Sequence, residues 1–311
     1  MAREMLGIDI GGSGIKGAPV DPSGAFTRER FRIETPRPAR PKPVAKVIAE
    51  IVDHFGWDGP VGVTYPGVVI DGVAMSAANV SKHWLGVDAA ALFADATGCE
   101  ITLLNDADAA GVAEMRLGAG RGRRGTIVLL TLGTGIGSAL FTDGVLVPNT
   151  EFGHIQIDGR DAELRASARA RTEEGLSWPK WAGRLSVYLR HLEALISPSL
   201  IIVGGGVSRK AEHFLPLVEG VRAEIVPARL VNNAGIVGAA MAAAAAHPAE
   251  TAEPVPHAVR AAGATGGPQR EPGTAEAARR ARPPSPPAEP ARRARPLSPP
   301  AEPARRPGRT G

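Results

Sequence analysis

MLGIDIGGSGIKG, residues 5–17, has the pattern of an apolar strand that ends in an aspartate and continues into a glycine-rich turn carrying a serine and a lysine. A second stretch of similar composition, LTLGTGIGS, spans residues 130–138. Backbone N–H groups in glycine-rich turns form anion-binding nests, and a lysine adds a compact positive charge. Two such turns, each following a buried strand, predict a phosphate chain that is held from two sides.

The first turn also matches the G-x-G-x-x-G dinucleotide fingerprint at residues 12–17. That fingerprint requires a helix directly after the turn, and Pro19 and Pro22 argue against a helix there. The P-loop pattern fails too, because Lys16 is followed by glycine rather than by serine or threonine. We therefore predict a second strand that returns from the turn. Taken alone, this stretch is equally compatible with an ordinary tight hairpin.

The length and composition exclude several classes of protein. A chain of 311 residues is long enough for two domains. It contains no apolar run approaching the roughly 18 residues of a membrane span, and no N-terminal signal-peptide pattern. Cys99 is the single cysteine, which excludes a disulfide framework and any cysteine-based zinc site. We expect a cytoplasmic protein without a membrane partner.

The positive net charge of the chain is concentrated near its C-terminal end. Residues 248–311 contain eleven Arg and six Glu, whereas residues 1–247 contain 25 basic and 26 acidic side chains. The tail repeats a thirteen-residue unit rich in proline, alanine and arginine at residues 278–290 and 291–303. Because the tail has almost no large apolar side chains, we expect it to be disordered and solvated rather than to bind a polyanion.

Upstream of the tail, strands and helices alternate, which predicts an α/β protein. Amphipathic periodicity predicts a helix over 44–55, preceded by an extended proline-rich linker at 37–43. Strand–hairpin–strand openings at both glycine turns predict mixed rather than purely parallel sheets. The other main predicted elements are strands at 61–65, 101–104, 126–132 and 200–203 and helices at 88–97, 109–117, 178–195 and 233–246.

A carboxylate directly follows one of the apolar strands. Asp106 comes after the strand at 101–104 and is a candidate general base for an acceptor hydroxyl. Asn105 beside it is a candidate for holding the same acceptor. The alternative is that the Asn-Asp pair caps the following helix, although Asp108 is also placed to cap it. Asp9, at the end of the first strand, is a candidate for holding a metal ion through water or for capping its own turn.

A second polar set comprises Glu151, His154 and Glu163. Carboxylate and imidazole groups at loop ends suit hydrogen bonding to a polyhydroxyl compound, because each accepts or donates in a fixed direction. A lone histidine is more often a structural residue. The position of Glu151 and His154 beside the hairpin that follows the second glycine turn favours a ligand role.

Together these segments resemble the ROK sugar kinases of the actin/hexokinase/Hsp70-like superfamily, and the similarity covers residues 1–247. It rests on residues 6–21, 105–114, 130–141, 151–154 and 200–208. The resemblance implies a two-domain, ribonuclease H-like α/β fold with the active-site cleft between the domains. The implied boundaries are 1–107 for an N-terminal domain, 108–232 for a C-terminal domain, 233–247 for a closing helix that packs back on the first domain, and 248–311 for the disordered tail.

The resemblance also implies roles residue by residue. Asp106 matches the catalytic base, which deprotonates the 6-hydroxyl of the sugar for attack on the terminal phosphoryl group. The implied first phosphate motif is Gly11, Gly12, Ser13, Gly14 and Lys16, with Asp9 beside it. The implied second motif is Thr131, Gly133, Thr134, Gly135 and Gly137, and the nucleotide-side motif is Gly204, Gly205 and Gly206. The implied sugar contacts are Asn79, Asn105, Glu151, His154 and Glu163.

One departure from the family pattern concerns metal binding. Many ROK kinases have a cysteine-rich zinc loop after the motif that 151–154 matches, with the histidine as fourth ligand. This chain has residues 155–161 there without a cysteine, so a structural zinc is not expected and His154 is available for the sugar or for structural contacts. Actinobacterial polyphosphate glucokinases also lack these cysteines, and the similarity is greatest to that branch, through residues 9–20, 118–138 and 151–155. The resemblance implies Mg²⁺ held mainly by the phosphates, with Asp9 as a candidate ligand.

The identity of the phosphoryl donor is inferred from the family resemblance more than from the distribution of basic residues. The resemblance implies that glucose 6-phosphate is formed from glucose with inorganic polyphosphate, and also with ATP. Polyphosphate would need a basic track leading to the glycine turns. The alternative is that the arginine-rich loop at 121–124 is simply solvated. Candidates for the track are Lys16, Lys82, Arg116, Arg121, Arg123 and Arg124.

Three other functions are compatible with parts of the pattern. The first is a strictly ATP-dependent ROK glucokinase or mannokinase. The second is a ROK-type transcription repressor, which would need a helix-turn-helix domain ahead of a strand that begins near Met5, so we expect no DNA partner. The third is a non-catalytic ATPase switch or filament, against which the sugar-facing polar set argues. The family resemblance further implies a homodimer.

Overall fold

The computed structural model describes residues 4–77 and 80–248. The predicted sugar contact Asn79 and the proline-rich tail beyond residue 248 lie outside the described residues. Within them, the chain forms two five-stranded sheets, two short ribbons and seven α-helices. Both large sheets contain parallel and antiparallel neighbours, which confirms the predicted α/β class with mixed sheets.

The first sheet is built around the opening strand. Its spatial order is β3-β2-β1-β4-β7. β2 returns antiparallel to β1 from the glycine turn, which confirms the hairpin indicated by the two prolines, and β4 and β7 run parallel to β1. The carboxyl ends of β1, β4 and β7 therefore lie along one edge. The strands and the ribbon inserted after β4 are β1 (Met5–Ile10), β2 (Ile15–Val20), β3 (Phe31–Ile33), β4 (Val61–Tyr65), β5 (Val69–Ile70), β6 (Val73–Ala74) and β7 (Ile101–Asn105).

The second sheet repeats this arrangement around the second glycine turn. Its strands and its ribbon are β8 (Thr126–Leu132), β9 (Ile136–Thr142), β10 (Val145–Val147), β11 (Gln156–Ile157), β12 (Arg160–Asp161), β13 (Leu200–Gly204) and β14 (Glu224–Pro227). The spatial order is β10-β9-β8-β13-β14, with β11 and β12 forming the separate ribbon. β9 returns antiparallel to β8, and β13 runs parallel to β8. The turns that follow β8 and β13 therefore lie at the same edge.

The helices connect and cover the sheets. They are α1 (Pro41–Phe55), α2 (Ala89–Thr97), α3 (Asp106–Leu117), α4 (Glu163–Ala166), α5 (Ala168–Glu173), α6 (Trp178–Ile196) and α7 (Ala234–Ala246). Short 3₁₀ segments occupy Lys82–Trp84, Phe152–His154, Gly206–His213, Leu215–Leu217 and Val231–Asn233. In the described ranges, no helix has the length and apolarity that a membrane crossing requires.

Two predicted helix starts differ from the structure. The helix predicted over 44–55 begins at Pro41, because proline is well suited to the first helical turn, where its missing N–H has no intrahelical partner to lose. The linker predicted at 37–43 is correspondingly shorter. The helix predicted from residue 109 begins at Asp106, directly after β7. The predicted cap at Asp88 is confirmed, since its Oδ1 accepts the Ala91 N–H at 2.9 Å.

The two faces of the first sheet are covered differently. Leu6 and Ile8 of β1 are fully buried in one core with Ile48 and Ile51 of α1. On the opposite face, a Cβ on Gly62 would collide with the backbone of α7. Glycine therefore allows α7 to lie directly against β1 and β4, and the N-terminus of α7 reaches the edge where β1 ends.

A buried carboxylate ties the chain ahead of α7 to α3. Glu114 is fully buried and its Oε1 accepts the N–H groups of Arg229 and Leu230 at 2.8 and 2.7 Å. Its Oε2 accepts the Ala119 N–H at 2.8 Å. Several hydrogen bonds of this kind compensate the cost of burying a carboxylate. Glu114 thereby fixes the loop that leads into α7.

Candidate active site

Asp106 opens α3 immediately after β7 and is half-buried. Removal from water raises the pKa of Asp106 to about 7; the negative charges of Asp9, Glu151 and Asp108 add to the rise, and a hydrogen bond from the Ala107 N–H opposes it. Asp9 is the penultimate residue of β1, and Glu151 follows the hairpins of the second sheet. The fold therefore brings carboxylates from both sheets together around Asp106. A carboxylate that titrates near neutral pH is suited to general base catalysis.

Asn105 is the N-cap of α3. Its Oδ1 accepts the N–H groups of Ala107 and Asp108 at 2.8 and 3.0 Å, and its Nδ2 donates to the C=O of Gly67 at 3.0 Å. The cap considered for Asp108 is thus supplied by Asn105. An amide can accept from the helix and donate to the neighbouring loop at once, which an ionised carboxylate cannot do. Asn105 consequently fixes the helix start that carries Asp106.

The first glycine turn is closed by a hydrogen bond from the Gly11 N–H to the Gly14 C=O at 3.1 Å. The Oγ1 of Thr35 donates to the Gly11 C=O at 2.5 Å, and Nη2 of Arg32 donates to the Ser13 C=O at 2.7 Å. A Cβ on Gly14 would collide with the Arg32 guanidinium. The glycine therefore lets a cation lie against the turn, whose tip remains exposed.

A polar row crosses the first sheet beside this turn. Asp9, Lys16 and Arg32 lie opposite one another on β1, β2 and β3. Nζ of Lys16 is 3.0 Å from Oδ2 of Asp9 and donates to the C=O of Asn232 at 3.2 Å. Oγ1 of Thr64 on β4 donates to Oδ1 of Asp9 at 2.8 Å. Two cations and one carboxylate therefore stand next to the exposed N–H groups of the turn.

The second glycine turn contacts one of the predicted sugar residues. The Gly133 N–H donates to the Gly135 C=O at 3.0 Å, and the Arg169 N–H of α5 donates to the Gly133 C=O at 3.0 Å. Oε2 of Glu163, at the start of α4, accepts the Ile136 N–H at 3.1 Å. The predicted motif occupies the end of β8, the turn and the start of β9, through Thr131, Gly133, Thr134, Gly135 and Gly137.

The third glycine turn lies against the second. Gly204 ends β13 and pairs with Thr131 of β8. Gly205 has φ 80°, in the left-handed region, and a Cβ there would lie 2.5 Å from the carbonyl oxygen of Leu132. Gly206 opens the following 3₁₀ segment. The motifs predicted at 131–137 and 204–206 therefore share one edge of the second sheet.

The carboxylates predicted to contact the sugar lie near one another. Ser138 of β9 anchors the segment that carries Glu151, by hydrogen bonds of 2.7 and 2.9 Å to the backbone of its two neighbours. Burial raises the pKa of Glu151; the charge of His154 opposes the rise and that of Glu163 adds to it. Glu163 accepts the Ile136 N–H and Gly153 lies against the Ile136 C=O, so Glu151, His154 and Glu163 lie around the start of β9.

His154 is oriented by a carboxylate. Its Nδ1 lies 2.8 Å from Oδ2 of Asp161, and 47% of its side chain is exposed. The hydrogen bond with Asp161 raises the pKa of His154, burial opposes the rise, and the charges of Glu163 and Glu151 add to it. Because Nδ1 is engaged, Nε2 is the nitrogen left to contact a ligand.

The arginine-rich loop considered as a donor track lies at the other end of the second sheet. Arg123 and Arg124 precede β8 whereas the glycine turn follows it, and the 7 residues of the strand separate them by about 23 Å. Arg123 pairs with Glu224. Arg116 lines a cavity of about 1000 Å³ at the starting end of β1. These arginines therefore do not lie beside the glycine turns, whereas Lys16 of the predicted cations does. A basic track that leads a long donor to the turns stays a prediction.

Two residues at the site, Thr64 and Arg32, were not identified from sequence patterns. Thr64 is the polar residue of a strand that is otherwise apolar and fully buried, and such an interruption is a detectable signal. Arg32 becomes visible only once the first hairpin is extended by a third strand, because it then faces Lys16. Thr64 and Arg32 each form a hydrogen bond with a residue that the sequence analysis did identify, namely Asp9 and Ser13.

Comparison with known proteins identifies the family. The ROK family model matches residues 5–176. The polyphosphate glucokinase of Mycobacterium tuberculosis (strain CDC 1551 / Oshkosh) is 53% identical over 245 residues, which span 78% of this chain and 92% of that protein. The polyphosphate glucokinase of Mycobacterium leprae (strain TN) is 52% identical over 242 residues, spanning 77% and 74%.

Solved structures agree with this assignment. The inorganic polyphosphate/ATP-glucomannokinase of Arthrobacter sp. strain KM is 51% identical with a TM-score of 0.75, covering 78% of this chain and 99% of that one. A ROK family glucokinase of Streptomyces griseus, solved with glucose and AMPPNP, is 25% identical with a TM-score of 0.67, covering 78% and 99%. The predicted actin/hexokinase-like fold is thereby confirmed. This chain belongs to the ROK family.

Proposed function

We propose that this protein phosphorylates glucose at its 6-hydroxyl, with inorganic polyphosphate as one donor and ATP as another. The observation that carries the proposal is the position of Asp106 at the start of α3, directly after β7. Burial there, together with the negative charges of Asp9 and Glu151, raises the pKa of this carboxylate to about 7. Relatives that are 53% identical are polyphosphate glucokinases, and the similar Arthrobacter structure is a polyphosphate/ATP-glucomannokinase.

In this proposal Asp106 accepts the proton of the 6-hydroxyl while the hydroxyl oxygen attacks the terminal phosphorus of the donor. The new O–P bond forms as the bond from that phosphorus to its bridging oxygen breaks. The products are glucose 6-phosphate and a donor shortened by one phosphate. The sugar hydroxyls are held by Asn79, Asn105, Glu151, His154 and Glu163.

The donor phosphates lie against the glycine turns in this mechanism. Backbone N–H groups at 11–14, 131–137 and 204–206 supply fixed hydrogen-bond donors for phosphate oxygens. Lys16 and Arg32 add positive charge beside the first turn. Because phosphoryl transfer needs positioning and charge neutralisation more than covalent chemistry, this set is sufficient on the protein's side.

Mg²⁺ is the proposed cofactor. Among the residues in the described ranges, no three or more His, Cys, Asp or Glu side chains converge closely enough to hold a metal ion by themselves. Mg²⁺ commonly takes one or two protein carboxylates and completes its shell with waters and substrate phosphates. Asp9, beside the first turn and near Asp106, fits that role. When bound, the ion neutralises charge on the phosphates.

The larger organisation is also a proposal. We keep the division into domains at 1–107 and 108–232, because β1–β7 and β8–β14 build separate sheets. The closing helix at 233–247 is assigned to the first domain, since α7 lies against β1 and β4. A homodimer and a cytoplasmic location rest on the family alone, and light scattering of the purified protein tests the former.

A coupled assay tests the proposed function. Glucose or mannose is supplied with polyphosphate or ATP. Glucose 6-phosphate is followed through a dehydrogenase, and mannose 6-phosphate through the same dehydrogenase after two added isomerases convert it to glucose 6-phosphate. We expect glucose 6-phosphate with both donors. If neither donor gives product, the enzymatic proposal is contradicted. If ATP alone gives product, polyphosphate is not a donor and the protein is a strictly ATP-dependent glucokinase. A kcat/KM that is higher for mannose than for glucose would identify mannose as the preferred acceptor.

A further inference from the structure

Asp108 is a buried carboxyl group that the proposed mechanism does not use. It lies on α3 two residues after Asp106, and its exposed fraction is 1%. Its Oδ2 accepts the backbone N–H of Asn149 at 2.7 Å, whereas Oδ1 has no hydrogen-bond partner among the described residues. Burial raises the pKa of Asp108 to about 7; the hydrogen bond from Asn149 opposes the rise, and the charge of Glu151 adds to it. A carboxyl group buried at this cost indicates that the bond to Asn149 matters.

Asn149 makes a second, reciprocal contact through its side chain. Its φ is 60°, in the left-handed region that asparagine tolerates better than most residues. Its Oδ1 accepts the Val69 N–H at 2.9 Å, and its Nδ2 donates to the Val69 C=O at 2.7 Å. The side chain therefore pairs with β5 as a neighbouring strand would. That pairing needs one acceptor and one donor, which an amide supplies.

These bonds join three segments around the proposed sugar site. Asp108 follows the proposed base Asp106 by two residues, and Asn149 precedes Glu151 by two. Val69 is the first residue of β5 and follows Gly67 by two, and the C=O of Gly67 accepts a hydrogen bond from the N-cap of α3 at 3.0 Å. We call the connected set Asp108, Asn149 and Val69 the acceptor clamp. It spans the start of α3, the start of β5 and the segment after β10.

We propose that the acceptor clamp positions Glu151 relative to Asp106 and thereby sets the affinity for the sugar acceptor, which makes Asp108 and Asn149 positioning residues. The inference rests on the proposed phosphorylation of glucose. Among the described residues, the clamp makes no hydrogen bond to any of the three glycine turns. Loss of the clamp is therefore expected to lower the affinity for the sugar and to leave the affinity for the donor unchanged.

Asn149→Gly is the variant that isolates the clamp. Glycine accepts the left-handed φ without strain and keeps the backbone N–H to Asp108, so the substitution removes only the pairing with Val69. Isothermal titration with glucose alone should show a Kd raised about tenfold, as expected for two lost hydrogen bonds. Steady-state kinetics should show the same rise in the glucose KM, with the KM for polyphosphate and ATP unchanged.

Substitutions of Asp108 provide a second, independent test, in which the conservative change to asparagine should preserve the affinity for glucose. Asp108→Ala removes the acceptor for the Asn149 N–H and should also raise the glucose Kd about tenfold. Asp108→Asn keeps an oxygen that accepts this N–H, and should stay close to the wild-type Kd. Ser197→Gly is the matched control, because Ser197 has φ 44° at the end of α6, outside the site, and its replacement should leave every constant unchanged.

Three results would overturn the inference. One is a glucose Kd that stays at the wild-type value in both Asn149→Gly and Asp108→Ala. Another is a rise in the donor KM that parallels the rise in the glucose KM, which would indicate a general loss of structure. The third is an Asp108→Asn variant as weak as Asp108→Ala. If the wild-type protein binds no glucose at all, the proposed function fails instead, so the two failures are distinguishable.

Discussion

At the residue scale, the environment of Asp106 decides its chemistry. Asn105 takes the helix-capping role, so Asp106 is left at the first position of α3 with its carboxylate near Asp9 and Glu151. Burial and these neighbouring charges raise the pKa of Asp106 to about 7. A base with such a pKa is ionised for much of the time at neutral pH and still binds a proton with useful strength. The same surroundings destabilise the ionised form before any substrate is bound.

Replacement of Asp106 by Asn should stabilise the ligand-free protein more at pH 8 than at pH 5. An acid whose pKa rises from 3.8 to about 7 on folding binds more protons in the folded state between those values, so its contribution to stability falls as pH rises through that window. The variant does not lose this stability. Its free energy of unfolding relative to the wild type should therefore rise by on the order of 2 kcal/mol from pH 5 to pH 8. Calorimetry at both pH values checks it; a constant difference from wild type would contradict the raised pKa.

Asp106 itself was predictable because it is an acidic residue placed directly after an apolar strand. The division of labour with its neighbours was not predictable, since Asn105, Asp106 and Asp108 are all good helix caps. Only the position of Gly67, whose C=O accepts the Asn105 amide, selects Asn105. The clamp residue Asn149 carried no signal, because its contacts join segments that are 80 residues apart.

At the element scale, the glycine turns depend on close backbone approach. Gly205 combines a φ of 80° with a neighbouring carbonyl oxygen that would lie 2.5 Å from any Cβ. By contrast, Gly183 lies on the exposed side of α6 with open space around the position of a Cβ. The two glycines therefore have opposite expected responses to the same substitution.

Gly205→Ala should destabilise the protein by about 1–3 kcal/mol and raise the KM for the donor, because the strain falls on the second and third turns. Gly183→Ala should stabilise it by about 0.5–1 kcal/mol and leave kinetics unchanged, since alanine is favoured over glycine inside a helix. Urea denaturation of the two variants provides the comparison. Equal effects of the two substitutions would show that the turn geometry described for Gly205 is not required.

The elements were largely predictable from local patterns. Pro19 and Pro22 excluded a helix after the first turn, and the structure has β2 there. Helix starts were less predictable, because the proline that opens α1 also fits an extended linker. Periodicity defines the middle of a helix better than its first turn.

At the scale of the whole molecule, the positively charged residues beside the glycine turns are not the ones that cluster in the sequence. The loop at 121–124 is strongly basic, but it lies at the opposite end of β8 from the glycine turn. Arg32, by contrast, lies against the first turn and opposite Lys16. This difference could have been inferred, because the basic loop precedes the strand and the glycine turn follows it. The position of Arg32 depended on a third strand that the sequence pattern did not reveal.

Arg32→Ala should raise the KM for polyphosphate about fivefold, because a hydrogen-bonding cation beside the turn is lost. The effect should be larger at low salt, where exposed charges are screened less. Arg123→Ala is the matched control and should leave the KM unchanged, since Arg123 pairs with Glu224 at the far end of the sheet. A larger effect of Arg123 than of Arg32 would reverse this assignment of the donor site.

The most direct measurement of the central claim compares Asp106→Asn with the wild type in glucose 6-phosphate formation and in glucose binding. The rate with polyphosphate and with ATP should fall roughly 10²–10⁴-fold, while the glucose Kd stays within about threefold of the wild-type value. That result identifies Asp106 as the base for the 6-hydroxyl. A variant that keeps its rate within about tenfold of the wild type, or that loses glucose affinity by the same factor as rate, would contradict the account.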